Sequence, residues 1–198
     1  MLGRVDLVFV HNPEQDGHGL DRAALHWRVR DAFTALEELA TAGRIDGYGV
    51  ATWSGLCSGA FTVTELLALA RQAAGSAEHH FTGLQMPVSL IMDDPIRQAL
   101  GGGGPLVQAK DAGLITFGSA PLHGGELLDA MTPGLVNLIR PGLSAAAAAF
   151  LAAGSCPGLD VVLTSTSTRE HWKDAAKALA APLTAEELER VTDELAAE

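Results

Sequence analysis

The sequence predicts an α/β protein in which the strands of a parallel sheet alternate with helices. Short apolar runs alternate along the chain with longer segments whose apolar residues recur three or four positions apart, as the buried face of a helix requires. The apolar runs contain few polar residues, which is typical of strands buried on both faces. The chain shows about five such strands, fewer than the eight of a closed (β/α) barrel, so the pattern alone favours an open sheet.

The predicted elements follow one another in a regular order. They are strand 7–10, helix 21–42, strand 45–52, helix 62–75, strand 81–86, helix 105–112, strand 114–118, helix 144–154, strand 159–164, helix 168–180 and a last helix that begins after Thr184. The helix over residues 21–42 has the clearest apolar face, formed by Leu25, Val29, Phe33, Leu36 and Leu39. Because strands and helices alternate, the connections are predicted to be right-handed crossovers between parallel strands.

Capping residues mark the ends of several helices. Gly43 and Gly113 supply left-handed stops at two C-termini. Side-chain caps are predicted at Ser144, at Thr62 with Glu65, and at Thr184 with Glu187. The pair Asp93 and Asp94 before Pro95 is most simply a further helix cap. Residues 101–104 are four glycines and predict a flexible loop; without a following Lys-Ser/Thr pair they form no phosphate-binding loop.

Composition excludes several functional classes. The chain of 198 residues carries 13 Lys and Arg against 24 Asp and Glu, a formal net charge of -11, and no basic cluster. Nucleic acid and anionic membrane surfaces are therefore not predicted as partners, because both require a positive face. The longest apolar run, residues 145–153, is too short to cross a bilayer, and residues 1–10 lack the features of a signal peptide. We expect a single domain over residues 1–198 and a cytoplasmic location.

Cysteine and histidine usage predicts neither disulfides nor a metal site. Cys57 and Cys156 are too few for a disulfide framework, and we expect both to be reduced structural thiols. The histidines considered as ligands are His18, His26, His79, His80 and His123. No two of them have ligand spacing on one element with a third ligand in view, so no metal is predicted.

Five segments, in one order, carry a resemblance to a known family. They are residues 6–13 (DLVFVHNP), residues 36–39 with 43–50, residues 84–87, residues 113–115 with 121–125, and residues 157–163 with 169–171 and 182–184. Together they resemble the aldo-keto reductases from the fourth strand region to the C-terminal helix, over essentially the whole chain. The resemblance implies a partial (β/α) TIM barrel of aldo-keto reductase type, with about five strand–helix units. Dimerisation would complete the sheet, and the alternative is that the strands rearrange into an open sheet.

The resemblance also implies a reductase that transfers hydride from NADPH to a carbonyl, with a tyrosine acid supported by Lys, Asp and His. His11 matches the histidine of that set. Met1 falls just before the family's fourth strand, so the strands that carry the Asp, Tyr and Lys have no counterpart. Tyr48 is the only tyrosine and does not match the catalytic acid, because it lies in the fifth-strand region.

The cofactor positions implied by the resemblance are altered. Gln85 matches the residue that holds the nicotinamide carboxamide, but Ala51 and Thr52 replace the adjacent Ser-Asn pair, and Ser119 replaces the stacking tyrosine. The Gly, Glu and Asn of the adenine-phosphate loop are replaced by Ser165, Asp174 and Ala175. A phosphate site at a helix N-terminus is still expected from Thr166, Ser167, Thr168 and Arg169. A weakened NADP(H) site is therefore implied, and the favoured interpretation is that no cofactor is used.

The residues alone leave alternatives open for each candidate. His11 ends a buried strand, where α/β folds place their chemistry, and is either functional or a structural histidine. Asn12 shares that edge as a substrate contact. Gln85 either contacts a ligand or forms hydrogen bonds in the core, and Trp53 either lines a substrate pocket or packs in the sheet–helix interface. Arg169 is the best anion ligand of an acidic protein, or a solvated surface charge.

Three functional hypotheses follow. The favoured one is a shortened aldo-keto reductase relative that performs non-redox chemistry on a small carbonyl-bearing metabolite, with His11 as acid or base of a cyclisation, dehydration or isomerisation. The second is an NADPH-dependent reductase whose missing Asp, Tyr and Lys come from a partner chain or from an upstream coding region. The third is a non-catalytic binding or scaffold protein. Because half a barrel leaves exposed sheet edges, we expect a homodimer or a completing partner chain.

Overall fold

The computed structural model of the chain describes residues 3–16 and 19–197. The strands are β1 (Val5–His11), β2 (Ile45–Ala51), β3 (Phe81–Pro87), β4 (Ile115–Ser119) and β5 (Val161–Val162). The helices are α1 (Pro13–Asp16), α2 (Arg22–Thr41), α3 (Val63–Ala74), α4 (Asp94–Leu100), α5 (Gly104–Asp111), α6 (Leu127–Ala130), α7 (Pro133–Ile139), α8 (Ala145–Gly154), α9 (Arg169–Leu179) and α10 (Ala185–Ala197), with a 3₁₀ turn at His123–Gly125.

The predicted α/β class is confirmed. The sheet has five strands in the order of the chain, β1-β2-β3-β4-β5. The pairs β1 with β2, β2 with β3, and β4 with β5 are parallel, as the helix-separated apolar runs predict. Among the described residues, no helix combines the length and the apolarity needed to span a bilayer.

The chain divides into two compact units. The first comprises Met1–Met86 and Asp111–Ile115, and the second comprises Pro87–Lys110 and Thr116–Glu198. The single domain expected over residues 1–198 stays a prediction.

In the first unit, an aromatic cluster fills the space between the strands and α2. Phe33 of α2, Tyr48 of β2 and Phe81 of β3 are all fully buried. Their ring centroids lie 5.0 to 5.7 Å apart in tilted and edge-on arrangements, which suit the quadrupoles of aromatic rings. This cluster fixes which face of β2 points towards α2, and the opposite face is therefore left for the candidate site.

In the second unit, the alanine-rich α8 forms the centre of the core. Its N-cap is Ser144, whose hydroxyl accepts the Ala147 N–H at 3.2 Å, as predicted. Seven of its residues are buried, and α8 packs against α9. Small side chains allow this close helix packing, and a Cβ at Gly154 would lie 2.1 Å from Cδ2 of Leu179.

The helix caps and stops at four predicted places are confirmed. Thr62 and Glu65 form a reciprocal capping box at α3. Thr184 and Glu187 form the equivalent pair at α10, with N–H to oxygen distances of 2.8 and 3.2 Å. Gly43 and Gly113 have φ angles of +67° and +78°, in the left-handed region that glycine adopts without strain.

Other local predictions hold only in part. Asp93 makes no side-chain cap at α4; its Oδ2 instead accepts the Arg97 Nε–H at 2.6 Å. The four glycines form a hydrogen-bonded turn, with the N–H of Gly102 and Gly103 donated to Ala99 and Gln98, and Gly104 begins α5. The strand expected over residues 159–164 is limited to Val161–Val162.

Candidate functional site

A row of three residues crosses the carboxyl ends of the first unit's strands. His11 of β1 pairs with Ala51 of β2, and Ala51 pairs with Gln85 of β3. Residues paired across neighbouring strands lie on the same face of a sheet, so the three side chains form one row. Because parallel strands are about 4.8 Å apart, His11 and Gln85 flank a space of about 10 Å over the small Ala51. His11 is exposed and Gln85 is half-buried.

An aromatic ring lies below this row. Phe9 of β1 pairs with Gly49 of β2, which pairs with Gly83 of β3. A Cβ at Gly49 would lie 2.7 Å from Cε1 of Phe9, and one at Gly83 would lie 3.2 Å from the same atom. The ring therefore extends across both glycines and forms an apolar floor below His11 and Gln85.

Asn12 and Trp53 lie at the same end of the first unit. Asn12 adopts a left-handed φ of +46°, which Asn tolerates better than most residues, and its N–H donates to the Ala51 carbonyl at 2.6 Å. Trp53 follows Thr52 in the loop after β2, and its side chain is 40% exposed. The predicted substrate contacts Asn12 and Trp53 thus lie in the segments that follow β1 and β2, one residue after His11 and two residues after Ala51.

Glu14 is a residue of this region that was not predicted from the sequence. Its Oε1 accepts the Thr52 hydroxyl at 2.8 Å and the N–H groups of Trp53, Ser54 and Gly55 at 2.9, 2.9 and 3.2 Å. Burial alone would raise the pKa of Glu14, but these hydrogen bonds lower it below the ordinary value. In the sequence, only its position three residues after His11 indicates that it lies near the site.

Tyr48 lies in the core of the first unit. Its hydroxyl donates to Oε1 of Glu37 at 2.8 Å, and the side chain is fully buried. Burial raises the pKa of Tyr48, and the Glu37 carboxylate raises it further. A tyrosine held in this way cannot give its proton to a substrate, so Tyr48 is a structural residue.

The second unit contains a cleft of about 580 Å³ beside the ends of β4 and β5. Its lining comes from the loops that follow these strands: Ala120, Pro121, Leu122, Gly124, Gly125, Leu163, Thr164 and Ser165. Gly124 and Gly125 have φ angles of +70° and +105°, so only glycine fits this backbone without strain. Ser119 is the last residue of β4, immediately before the cleft, and is half-buried.

A smaller cavity of about 200 Å³ adjoins this cleft and shares Leu122, Thr164 and Ser165 with it. Phe150 and Leu128 supply apolar walls, and Thr166, His171 and Asp174 supply polar ones. Such a mixture of apolar walls and a few polar groups is typical of small-molecule sites.

The predicted phosphate loop is exposed at the start of α9. Thr168 is the N-cap of α9, but its side chain makes no capping bond; its N–H donates to the Thr166 hydroxyl at 3.2 Å. Ser167 and Arg169 are also exposed. Of the four predicted residues, Thr166 lines the smaller cavity, and the others flank it in the chain.

The described part of the chain contains no metal centre. Within residues 3–16 and 19–197, no group of three or more His, Cys, Asp and Glu side chains is placed to hold a metal ion. His18, one of the histidines considered as ligands from the sequence, lies outside the described residues.

Comparison with known proteins identifies the fold. No protein-family model matches the sequence, and no curated protein matches it. Solved structures do match. A glycerol dehydrogenase from Gluconobacter oxydans has a TM-score of 0.67 at 16% identity, covering 98% of this chain and 59% of that one. A thermostable aldo-keto reductase solved with the inhibitor epalrestat has a TM-score of 0.66 at 18% identity, covering 98% and 60%.

A third similar structure is an aldo-keto reductase from Klebsiella pneumoniae in complex with NADPH, with a TM-score of 0.65 at 18% identity. The alignment covers 98% of this chain and 59% of that one. The predicted resemblance and the partial (β/α) barrel are therefore confirmed as the fold of this chain, which spans about three fifths of these chains' length.

Proposed function

Because the chain has the fold of the aldo-keto reductases, we propose that it is part of an NADP(H)-dependent reductase of small carbonyl compounds. The observation that carries the proposal is the row of His11, Ala51 and Gln85 at the carboxyl ends of adjacent parallel strands. Barrels of this type place their chemistry at that end of the strands. The NADPH complex of the similar Klebsiella enzyme supports the choice of cofactor.

The residues of the second unit fit a dinucleotide phosphate in shape and chemistry. The loop after β4 bends through two glycines, so backbone can approach a ligand closely at Gly124 and Gly125. Hydroxyls of Thr164, Ser165 and Thr166 line the neighbouring space. Arg169 begins α9, where free N–H groups and the helix dipole favour an anion. Ser119, in place of an aromatic ring, offers no stacking surface and weakens the site.

Bound NADPH would supply a hydride to a carbonyl carbon. In this chain, the His11 imidazole would donate a hydrogen bond to the carbonyl oxygen, where negative charge develops. The Gln85 amide offers both a donor and an acceptor and would orient a planar amide. The Phe9 ring, which extends across Gly49 and Gly83, would exclude water from the side of the site opposite the solvent. A proton donor is still required for the developing alkoxide. The Tyr48 hydroxyl is buried and donates its hydrogen bond to Glu37, so it is not available as the proton donor. We therefore propose that a tyrosine and a lysine outside these 198 residues complete the site.

Titration with NADPH tests the cofactor proposal. We expect the purified chain to enhance NADPH fluorescence with micromolar affinity. The Arg169→Ala variant should bind about tenfold more weakly, as expected for loss of one charge-assisted phosphate contact. Lys177→Ala is the matched control, because it removes a cation from the exposed face of the same helix at its opposite end. Absence of binding up to millimolar NADPH would contradict the proposal.

The origin of the tyrosine and lysine has a separate test. The DNA upstream of the Met1 codon is read, and an in-frame segment that encodes the Asp, Tyr and Lys regions is expected. A stop codon immediately upstream would exclude that source. The remaining source would then be a partner chain. Such a chain would be detected because mixing it with this protein restores NADPH oxidation.

A second candidate function is favoured by the buried state of Tyr48, the only tyrosine of the chain. In this alternative, His11 is the acid or base of a cyclisation, dehydration or isomerisation of a small carbonyl-bearing metabolite, and no cofactor is used. Turnover that needs no NADPH and is abolished by His11→Ala would select it over the reductase. A His11→Ala variant without any effect would instead favour a binding or scaffold protein.

As the alternative to completion by an upstream segment, we propose that the chain forms a homodimer through β1. Six of the seven residues of β2 are buried, whereas none in β1 is, and the side chain of Val5 is 44% exposed. Apolar strand edges left open in this way associate with other strands. At micromolar concentration, light scattering is expected to give twice the 20.6 kDa of one chain. Val5→Lys should shift the mass towards the monomer, and a monomeric wild type would contradict the dimer.

A further inference from the structure

One carboxylate organises the loop that follows β2. Four donors converge on Oε1 of Glu14: the Thr52 hydroxyl and the successive N–H groups of Trp53, Ser54 and Gly55. The Thr52 Oγ1 also accepts the Gly55 N–H at 2.9 Å, which closes the loop on itself. Successive N–H groups that point at one anion form a concave nest. The backbone of residues 53–55 is therefore folded around a negative charge.

This charge comes from the loop that follows β1. Glu14 is three residues beyond His11 in the chain. The Asn12 N–H, donated to the Ala51 carbonyl at 2.6 Å, is a second link between the same two chain segments. The end of β1 at His11 and the loop that contains Trp53 are thereby linked.

Other contacts hold the far end of this loop against α2. The Gly59 carbonyl accepts the Arg22 Nε–H at 3.1 Å, and the Ala60 carbonyl lies 2.9 Å from Nε2 of His26. These bonds fix residues 59 and 60 against α2. At the start of the loop, the carbonyls of Ser54 and Gly55 accept the N–H groups of Ser58 and Phe61 at 2.8 and 3.3 Å, while the N–H groups of Trp53 and Ser54 point at Glu14. Glu14 is therefore one of the groups that place Trp53.

The second oxygen of the carboxylate shows that Glu14 is not there merely to fill space. Oε2 is buried and has no hydrogen-bond partner among the described residues. A buried unpartnered oxygen destabilises the fold, and an apolar side chain would avoid that cost. The N–H nest is what requires the negative charge.

We propose that Glu14 is a positioning residue, which holds Trp53 and the start of the β2 loop against the His11 side of the candidate site. The geometry stands on the hydrogen bonds alone, while the consequence for ligand binding rests on the proposed function. When Glu14 is neutral, the nest loses its anion, and the N–H groups of residues 53–55 are held less firmly. Binding at the row then weakens without loss of the fold.

The mobility of Trp53 tests this directly. Trp27 and Trp172 are 56% and 58% exposed, so replacing both with phenylalanine leaves Trp53 as a single reporter in a folded chain. In this background, acrylamide should quench Trp53 about twofold more strongly in Glu14→Gln and Glu14→Ala than in the parent, because the loop opens locally. Glu38→Gln, on the exposed face of α2, is the control for loss of one charge and should leave quenching unchanged.

A pH profile separates positioning from a general structural role. As pH falls through the lowered pKa of Glu14, quenching of the parent should rise to the Glu14→Gln level, while quenching of Glu14→Gln stays flat. Circular dichroism at each pH restricts the comparison to folded protein. If Glu14→Ala does not fold, Thr52→Val, which removes one donor, should give a smaller rise. Unchanged quenching and the parental pH profile in Glu14→Gln would overturn the inference.

Ligand binding provides the link to function. If the parent binds NADPH, Glu14→Gln should raise the Kd about fivefold or more, whereas Glu38→Gln should not. If the parent does not bind NADPH, the proposed function fails, but the quenching comparison still decides the role of Glu14. If NADPH binds equally to the parent and to Glu14→Gln while quenching differs, the effect on ligand binding is overturned and the proposed function stands.

Discussion

Replacement of Gly49 by alanine is expected to disrupt the first unit and the candidate site together. A Cβ at Gly49 would lie 2.3 Å from the Gly83 carbonyl oxygen and 2.7 Å from Cε1 of Phe9. The carbonyl belongs to the neighbouring strand and cannot move aside without weakening the pairing of β2 with β3. We expect a loss of about 3 kcal/mol or more in the free energy of unfolding, at the upper end of the range for overpacking. Urea unfolding followed by circular dichroism measures it.

Gly83→Ala is the matched control. The three atoms nearest to its Cβ would all belong to side chains, with Cδ2 of Leu7 at 3.1 Å and Cε1 of Phe9 at 3.2 Å, and these can shift by a few tenths of an ångström. We therefore expect a loss of about 1 kcal/mol or less for Gly83→Ala. Equal urea midpoints for the two variants would show that Gly49 is not a site of close approach.

The fold was largely predictable because its signals are local. A capping box at Thr62 and a left-handed stop at Gly43 depend on residues within one turn, so a single sequence contains all the information required. The apolar runs predicted the strands for the same reason. The helices over residues 127–139 were missed because they are short and depend on packing within the second unit.

One error in the face of α2 is informative. The apolar period placed Leu36 and Leu39 in the core, yet Leu39 is 43% exposed, and Glu37 is buried instead. Nothing local distinguishes Glu37 from the exposed Glu38. The partners that allow its burial, Tyr48 and His80, are distant in the chain, so only the tertiary structure identifies it.

The candidate site was predictable in part. His11 directly follows the predicted strand 7–10, and Gln85 lies one residue before the end of the predicted strand 81–86. Parallel strands bring their carboxyl ends to one edge, so the placement of both residues near that edge follows from the pattern. The Phe9 floor depends on the register of Phe9 with Gly49 and Gly83, which a sequence does not specify. The nest around Glu14 requires backbone N–H directions, which are invisible before the loop is folded.

Glu37 is expected to be the most costly polar residue to remove. Its Oε1 accepts the Tyr48 hydroxyl and the His80 N–H, each at 2.8 Å, and its Oε2 lies 2.7 Å from Nδ1 of His80. In Glu37→Leu, the Tyr48 hydroxyl and the His80 N–H both lose their acceptor inside the unit. Since removing one member of a buried network costs about 3–5 kcal/mol, the thermal midpoint should fall by about 10 °C. Glu38→Leu, on the exposed face, should change it little, because surface substitutions usually cost about 0.5 kcal/mol or less.

The same network predicts how stability depends on pH. Burial alone would raise the pKa of Glu37, but the hydrogen bonds from His80 and Tyr48 lower it below its ordinary value of 4.5. A carboxylate whose pKa is lowered by folding stabilises the protein above its unfolded pKa, and this contribution is lost as pH falls through the folded pKa. The wild type should therefore lose stability below about pH 4.5 more steeply than Glu37→Gln, which cannot titrate there. Urea midpoints measured from pH 7 to pH 3 give both slopes, and parallel slopes would mean that Glu37 does not carry this part of the acid sensitivity.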